Sequence, residues 1–332
     1  MAMLEVSLDT QAVLLLTARF HKRADDSPQP LTHGEYNRLA TALGGAGLRP
    51  ADLLTDKGHA FITEAESHPL EPDRMHRLVQ RSMALAIAME AWGNAGLWVM
   101  SRADEQYPAR LRERLRGKAP VLLFGCGDHS LLEAGGLAIV GSRTVDEEGA
   151  EFTRDAAAAA ASEGIQVISG GARGVDSIAM EATLDRGGCV VGVLANDLAK
   201  LSRSITAQDA IADDRLCLAS PFQPEARFEA WKAMDRNKVI YALSDWALVV
   251  ASDLRKGGTW AGAKENLDAG WVPTFVRSFT DQPASHTALI DAGARPLTTE
   301  DLGSLVSSLQ REPLVAREIP GQAAQDSQMN LF

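Results

Sequence analysis

Between residues 97 and 280 the chain alternates short, wholly apolar runs with longer amphipathic stretches, and this alternation restricts the fold more than any other feature. The apolar runs at 121–124, 137–140, 165–168, 190–194, 216–219, 246–251 and 272–276 read as strands. Helices are expected at 148–163, 177–186, 228–243 and 260–269, several followed by glycine. A strand that is apolar at every position must be covered on both faces, and βαβ repetition supplies those covers over a mainly parallel sheet. The expected fold class is α/β: a doubly wound, mainly parallel Rossmann-like sheet with ligands at the carboxyl ends of its strands.

Residues 1–96 lack the alternation and read as a helical N-terminal domain. An apolar stretch covers 11–20, and Asp25-Asp26-Ser27-Pro28-Gln29-Pro30 is a turn or linker. Thr32 and Glu35 have capping-box spacing, so a helix opens there, and Gly44, Gly45 and Gly47 break it. One further helix is expected over 74–91, through Leu78, Met83, Leu85, Ile87 and Met89, ended by Gly93 and Gly96. The sheet domain spans 97–311, closing with an apolar segment at 288–294 and a helix at 299–309. Residues 312–332 show no periodicity and read as a flexible tail.

The net charge of −11 argues against binding polyanions over the whole surface, but leaves room for a local basic groove. No apolar run reaches the ~18 residues of a membrane span and no basic leader is visible, so a cytoplasmic location is expected. Cys126, Cys189 and Cys217 are far apart, which points away from a disulfide framework or a zinc knuckle. No metal-ligand spacing appears, and no cofactor is expected.

The polar residues with chemical potential gather at strand ends. Val140-Gly141-Ser142-Arg143 ends one strand. Its glycine allows close approach of a ligand, and Arg143 is either a phosphate ligand or a surface arginine. Ser169-Gly170-Gly171-Ala172-Arg173-Gly174-Val175-Asp176 lies between a strand and a helix, where free amides, a hydroxyl and a helix N-terminus form an anion cradle. It is neither a dinucleotide fingerprint nor a Walker A loop, and Asp176 reads as a helix N-cap rather than a base. Asp235-Arg236-Asn237-Lys238 lies on a helix, as a phosphate site or a solvated face. Lys256-Gly257-Gly258-Thr259 is a further glycine-bearing turn. Together these turns argue for a phosphate-bearing ligand along one edge of the sheet. No nucleophile, base and acid come together: His129 and His286 flank none of the turns, and Glu265 reads as a helix-surface residue. At the C-terminus, Gln328-Met329-Asn330-Leu331-Phe332 is similar to the pentapeptide by which bacterial proteins bind the replication sliding clamp; Gln328, Leu331 and Phe332 are its candidate contacts.

In order along the chain stand Tyr107-Pro108, Leu111, Pro120-Val121-Leu122, Gly125, Leu137-Ala138-Ile139-Val140-Gly141-Ser142-Arg143 and Gly149. The loop 169–176, Arg236-Asn237-Lys238-Val239-Ile240, Ser244-Asp245 and Gly257-Gly258-Thr259 follow. This string resembles the DNA-processing protein A family (DprA, also called Smf), a branch of the Rossmann-like SLOG superfamily, over roughly residues 97–300. The resemblance implies a non-enzymatic binder of single-stranded DNA that dimerises through its sheet domain and loads a recombinase during natural transformation. Arg143 matches the phosphate-contacting arginine of the family's GSR turn, and Ser169, Gly170, Arg173 and Gly174 match its anion loop. Arg236 and Asn237 match its RN pair, with Lys238 where arginine is usual, and Gly258 and Thr259 match its later glycine-rich turn. Gly141, Ser142, Gly171 and Gly257 join them as candidate phosphate-binding residues.

The sequence departs from the family's pattern in several places. The usual Tyr-Pro-x-x-Asn loop is replaced by Asn196-Asp197-Leu198-Ala199-Lys200-Leu201-Ser202-Arg203, where Lys200 and Arg203 offer charge but no aromatic offers a stacking face. Ser220-Pro221 stands for Ser-Glu, and Gly171 for leucine. Trp260 follows the last turn in place of the usual serine pattern, the N-terminal region is long, and a C-terminal winged helix has no evident room. These departures keep two alternatives open. One is a DNA-binding antitoxin or sensor of a phage-defence or toxin–antitoxin locus, with a cognate toxin as partner. The other is a SLOG-type nucleotide-binding protein or phosphoribohydrolase.

Overall fold

The computed structural model describes residues 5–20, 27–64 and 70–310. The linker residues Asp25 and Asp26 and the whole tail, including Gln328, Leu331 and Phe332, lie outside the described residues. The amino-terminal helices are α1 (Leu8–Thr17), α2 (His33–Gly45), α3 (Asp56–Thr63), α4 (Pro72–Val79) and α5 (Ser82–Asn94). They are followed by β1 (Trp98–Ser101), α6 (Ala109–Leu115), β2 (Leu122–Cys126), β3 (Leu137–Gly141), α7 (Glu147–Ser162), β4 (Val167–Ser169), α8 (Val175–Asp185) and β5 (Val190–Val193). Next come α9 (Leu198–Leu201), α10 (Ile205–Ala212), β6 (Leu216–Ser220), α11 (Ala230–Leu243), β7 (Trp246–Ala251), α12 (Gly257–Ala269), β8 (Thr274–Arg277), α13 (Ala284–Asp291), β9 (Arg295–Leu297) and α14 (Leu305–Gln310).

Helix α2 starts where the capping box expects it. The Thr32 hydroxyl accepts from the Glu35 N–H at 3.3 Å, and the Glu35 carboxylate accepts from the Thr32 N–H at 2.8 Å. Glu35 also pairs with Arg74 of α4 at 2.7 Å, and these donors hold its carboxyl down at about 2. A pKa lowered on folding stabilises the fold above the unfolded value of about 4.5, and that stability is lost as pH falls towards 2. Glu35→Gln is therefore expected to cost about 1 kcal/mol at neutral pH. Urea midpoints of variant and parent should converge as the pH is lowered from about 4.5 to about 2. A pH-independent gap would show that charge plays no part.

The helix expected over 74–91 is two helices, α4 and α5. Between them Arg81 turns inward, donates to the Leu15 carbonyl and sits 4.8 Å over the Phe20 ring. These contacts with distant segments end the helix where no glycine or proline does.

Among the described residues the strands form one sheet in the order β1-β2-β6-β5-β4-β3-β7-β8-β9. The seven strands from β6 to β9 in this order are parallel, while β1 and β2 pair antiparallel at one edge. The α/β, doubly wound, mainly parallel expectation is met. Successive residues of the central strands supply opposite faces, which is why the runs are apolar throughout. Ala138, Val140 and Val191 join a core with Leu111 of α6, Val239 and Ile240 of α11 and Ala263 of α12. On the other face, Leu137, Ile139 and Leu248 pack with Phe152 and Ala156 of α7 and Ala179 of α8. The amino-terminal helices cover that second face near the β2 edge: Leu14, Leu39, Leu78 and Trp92 share one cluster with Phe124, Leu216 and Leu218. Polar ties support it, with Asp104 accepting from the hydroxyls of Ser7 and Thr10 at 2.5 Å each.

Candidate functional site

Strands β3, β4, β5 and β6 run outward on one flank, and after β6 the chain returns to lay β7 on the other flank of β3. The carboxyl ends of β3 and β7 therefore mark the point where strand order reverses, and a crevice opens there. The register shifts between Val140 and Gly141, and the Ser142 N–H then donates to the Ala251 carbonyl at 2.9 Å. Thr259, in the first turn of α12, donates to the Gly141 carbonyl at 2.9 Å. Gly257-Gly258-Thr259 is thus a helix start rather than a free turn, and its hydroxyl secures β3.

A cavity of about 340 Å³ lies beside this junction, lined by Arg143 after β3, Gly170, Gly171 and Arg173 after β4, Leu194 and Asn196 after β5, and Phe228 and Arg236 of the α11 segment. Arg236 forms its floor at 4% exposure. Its Nη1 stands 3.8 Å from Oδ2 of Asp176, and its Nε and Nη1 have no hydrogen-bond partner among the described residues. Gly170 makes room for it, since a Cβ at that position would lie 1.5 Å from Nη1. Gly171 and Gly174 have φ of +64° and +91°, a backbone that side chains seldom adopt.

The cap of α8 is Gly174, not Asp176. Asp176 lies one position inside the helix, where its carboxyl faces Arg236 and the main-chain N–H groups of Gly141, Ala172 and Gly170. Burial pushes the Asp176 pKa up, and these groups pull it back. Burial likewise pushes the Arg236 pKa down, opposed by Asp176. A cation with two unused donors, removed from water and beside a carboxylate too distant for a tight pair, is costly without a further anion.

The structure thus gathers Arg143, Gly170, Gly171, Arg173 and Arg236 around one cavity. Several other expected site residues shape it from behind. Ser169 is fully buried and donates to the Ile139 carbonyl at 2.6 Å. Gly141 leaves room for Val175, and Gly174 for the Ser142 carbonyl. Asn237 donates to the Gly258 carbonyl at 3.0 Å and so fixes the start of α12. Gly257, Gly258 and Thr259 do not line the cavity, nor do the exposed Lys200 and Arg203 in and after the short helix α9. Lys238 faces the opposite flank of α11 and pairs with Asp235. Glu265 pairs with Lys118 at 3.6 Å, away from the cavity.

The sequence reading missed Phe228. The guanidinium of Arg143 lies 4.6 Å over its ring, at the cavity mouth. The helix expected over 228–243 begins at Ala230, which leaves Phe228 in the irregular lead-in at 47% exposure. The aromatic surface lacking from the loop at 196–203 is supplied from a different segment.

The sequence profile described as DNA recombination-mediator protein A matches residues 98–307. The chain belongs to this family. The putative DNA processing protein DprA of Mycobacterium tuberculosis is 30% identical over 193 residues, covering 57% of this chain and 48% of that protein. The chain thus spans about half the length of these first relatives. The crystal structure of DNA processing protein A from Streptococcus pneumoniae has the same fold, with a TM-score of 0.64 at 21% identity over 81% of this chain and 93% of that one. DNA processing protein A from Helicobacter pylori, described for its single-stranded DNA binding mode, matches with a TM-score of 0.53 at 20% identity over 64% of this chain and 97% of that one. Among the described residues, no helix is long and apolar enough to cross a membrane.

Proposed function

We propose that this protein binds single-stranded DNA through the cavity at the β3–β7 junction, without catalysing a reaction, and acts in DNA processing during transformation. The observation that carries the reading is Arg236, a buried guanidinium with two unused donors at the floor of a cavity whose mouth holds two more arginines. A backbone phosphate supplies the missing acceptor, and a guanidinium fork fits its oxygens. Phe228 offers a π-face to an adjoining base. Family membership and the single-strand binding described for the Helicobacter relative point the same way. Dimerisation through the sheet domain and recombinase loading belong to the same proposal, as does the division into a helical domain at 1–96, a sheet domain at 97–311 and a tail with a clamp-binding end.

Arg143 is exposed and its loss leaves the core untouched, so Arg143→Ala tests binding alone. Affinity for a labelled oligonucleotide, read by fluorescence anisotropy, should fall about tenfold for every sequence. The slope of log affinity against log salt should drop by about one. Equal affinity of variant and parent would overturn the reading.

A further inference from the structure

Helix α11 separates two concave surfaces. One flank, with Ala233 and Arg236, faces the phosphate cavity. The other, with Lys232, Asp235 and Lys238, faces a groove of about 700 Å³ between the sheet domain and the amino-terminal helices. Two aromatic side chains crown the ridge between them, Phe228 at 47% and Trp231 at 55% exposure. Trp231 is continued into the groove by Phe222, whose ring meets it edge-on at 5.6 Å. The Lys232 ammonium stands 5.7 Å from the Trp231 ring centre and 5.8 Å from that of Phe222.

We propose that this groove is a second single-strand subsite, and that a strand anchored by its phosphate on Arg236 crosses the ridge over Phe228 and Trp231 to reach it. The inference rests on the reading of the cavity as a single-strand site. The ridge is one helix thick, about 10 Å, which an extended strand crosses in about two nucleotides. Exposed aromatics alternating with cations are what a sequence-tolerant path for single strands requires, since every base has a π-face. The basic residues lining the groove, Arg19, Lys118, Lys232 and Lys238, outnumber the acidic Glu225, Glu229 and Asp235. This placement also accounts for Lys238, which follows Arg236 by two residues in sequence and so lies across the helix from it.

In the free protein the groove lysines are held by carboxylates. Lys232 pairs with Glu229 at 2.6 Å, and Lys238 with Asp235. Glu229 also accepts from the Trp231 indole N–H at 2.7 Å, which orients the ring. A phosphate entering the groove must displace these carboxylates, so they act as competitors for the same cations.

Affinities of the whole protein for thymidine dinucleotide and dodecanucleotide separate the subsites. With its single phosphodiester on Arg236, the dinucleotide has one nucleoside on either side and stops short of the groove, whereas the longer strand reaches past the ridge. Trp231→Ala should leave dinucleotide binding unchanged and weaken the dodecamer about tenfold. The double variant Glu229→Gln, Asp235→Asn should leave dinucleotide binding unchanged and tighten the dodecamer at least threefold. Trp231 is exposed and both carboxylates are at least two-fifths exposed, so none of these changes removes a core contact. If Arg143→Ala weakens both oligomers while the ridge variants bind the dodecamer as the parent does, the second subsite is wrong and the cavity reading stands. If the parent binds neither oligomer, both readings fall.

Discussion

Arg236→Met is expected to lower affinity for single-stranded DNA at least a hundredfold while leaving the protein folded. A charge-assisted contact made in a buried setting is worth about 2–5 kcal/mol when one partner is removed, well above the share of an exposed arginine such as Arg143. Stability responds less, because the deleted cation already lacks partners for Nε and Nη1. Methionine fills much of the same volume without a buried charge. The remaining effect falls on Asp176, whose carboxyl loses its counter-ion and is raised further than burial already raises it. A group whose pKa is raised on folding contributes stability at low pH that is lost as pH rises through the folded value. Urea midpoints of the variant should therefore approach the parent's in mild acid and fall progressively behind it towards neutral and alkaline pH. Affinity within threefold of the parent would show that Arg236 is not the anion's partner.

Gly170→Ala is expected to be nearly as damaging through a single methyl group. Gly170 does not have a positive φ, so alanine suits its backbone, and the effect is steric. The new Cβ would lie 1.5 Å from Nη1 of Arg236 and 2.4 Å from Oδ2 of Asp176. Both neighbours are buried, and overpacking of this kind costs about 1–3 kcal/mol. Displacing the guanidinium should also lower DNA affinity at least tenfold. Gly34→Ala in α2 is the control: nothing stands within 4 Å, and alanine there should be neutral or stabilising by up to about 1 kcal/mol. Near-parental melting and binding by Gly170→Ala would mean that the arginine has another place to go.

The central strands were legible because burial on both faces leaves little freedom but to be apolar. The edge strands were not. β9 is Arg295-Pro296-Leu297, which carries no strand signal, and it is a strand because β8 offers it a ladder. The antiparallel β1 is apolar through Trp98, Val99 and Met100, but at four residues it is too short to stand out after the helical segment before it. At the site, glycines and charges were visible in sequence but their directions were not. Arg236, Asn237 and Lys238 are consecutive on a helix, so their side chains diverge by about 100° each. One floors the cavity, one fixes the start of α12 and one faces the far groove. Phe228 stayed hidden because its role depends on the helix starting two residues later than the apolar pattern suggested.

The terminal strand β9 has a consequence for how copies of this protein meet. Strand addition between copies needs a run of free N–H and C=O groups along an exposed edge, and proline takes one N–H out of a strand of three residues. The opposite edge is β1, only four residues long, with the hydroxyl-bearing start of α1 tied beside it through Asp104. Both margins are poor templates for extending the sheet into a neighbour. Association of two copies by extending the sheet is therefore disfavoured, and the crevice at the strand-order reversal lies within the sheet, away from both margins.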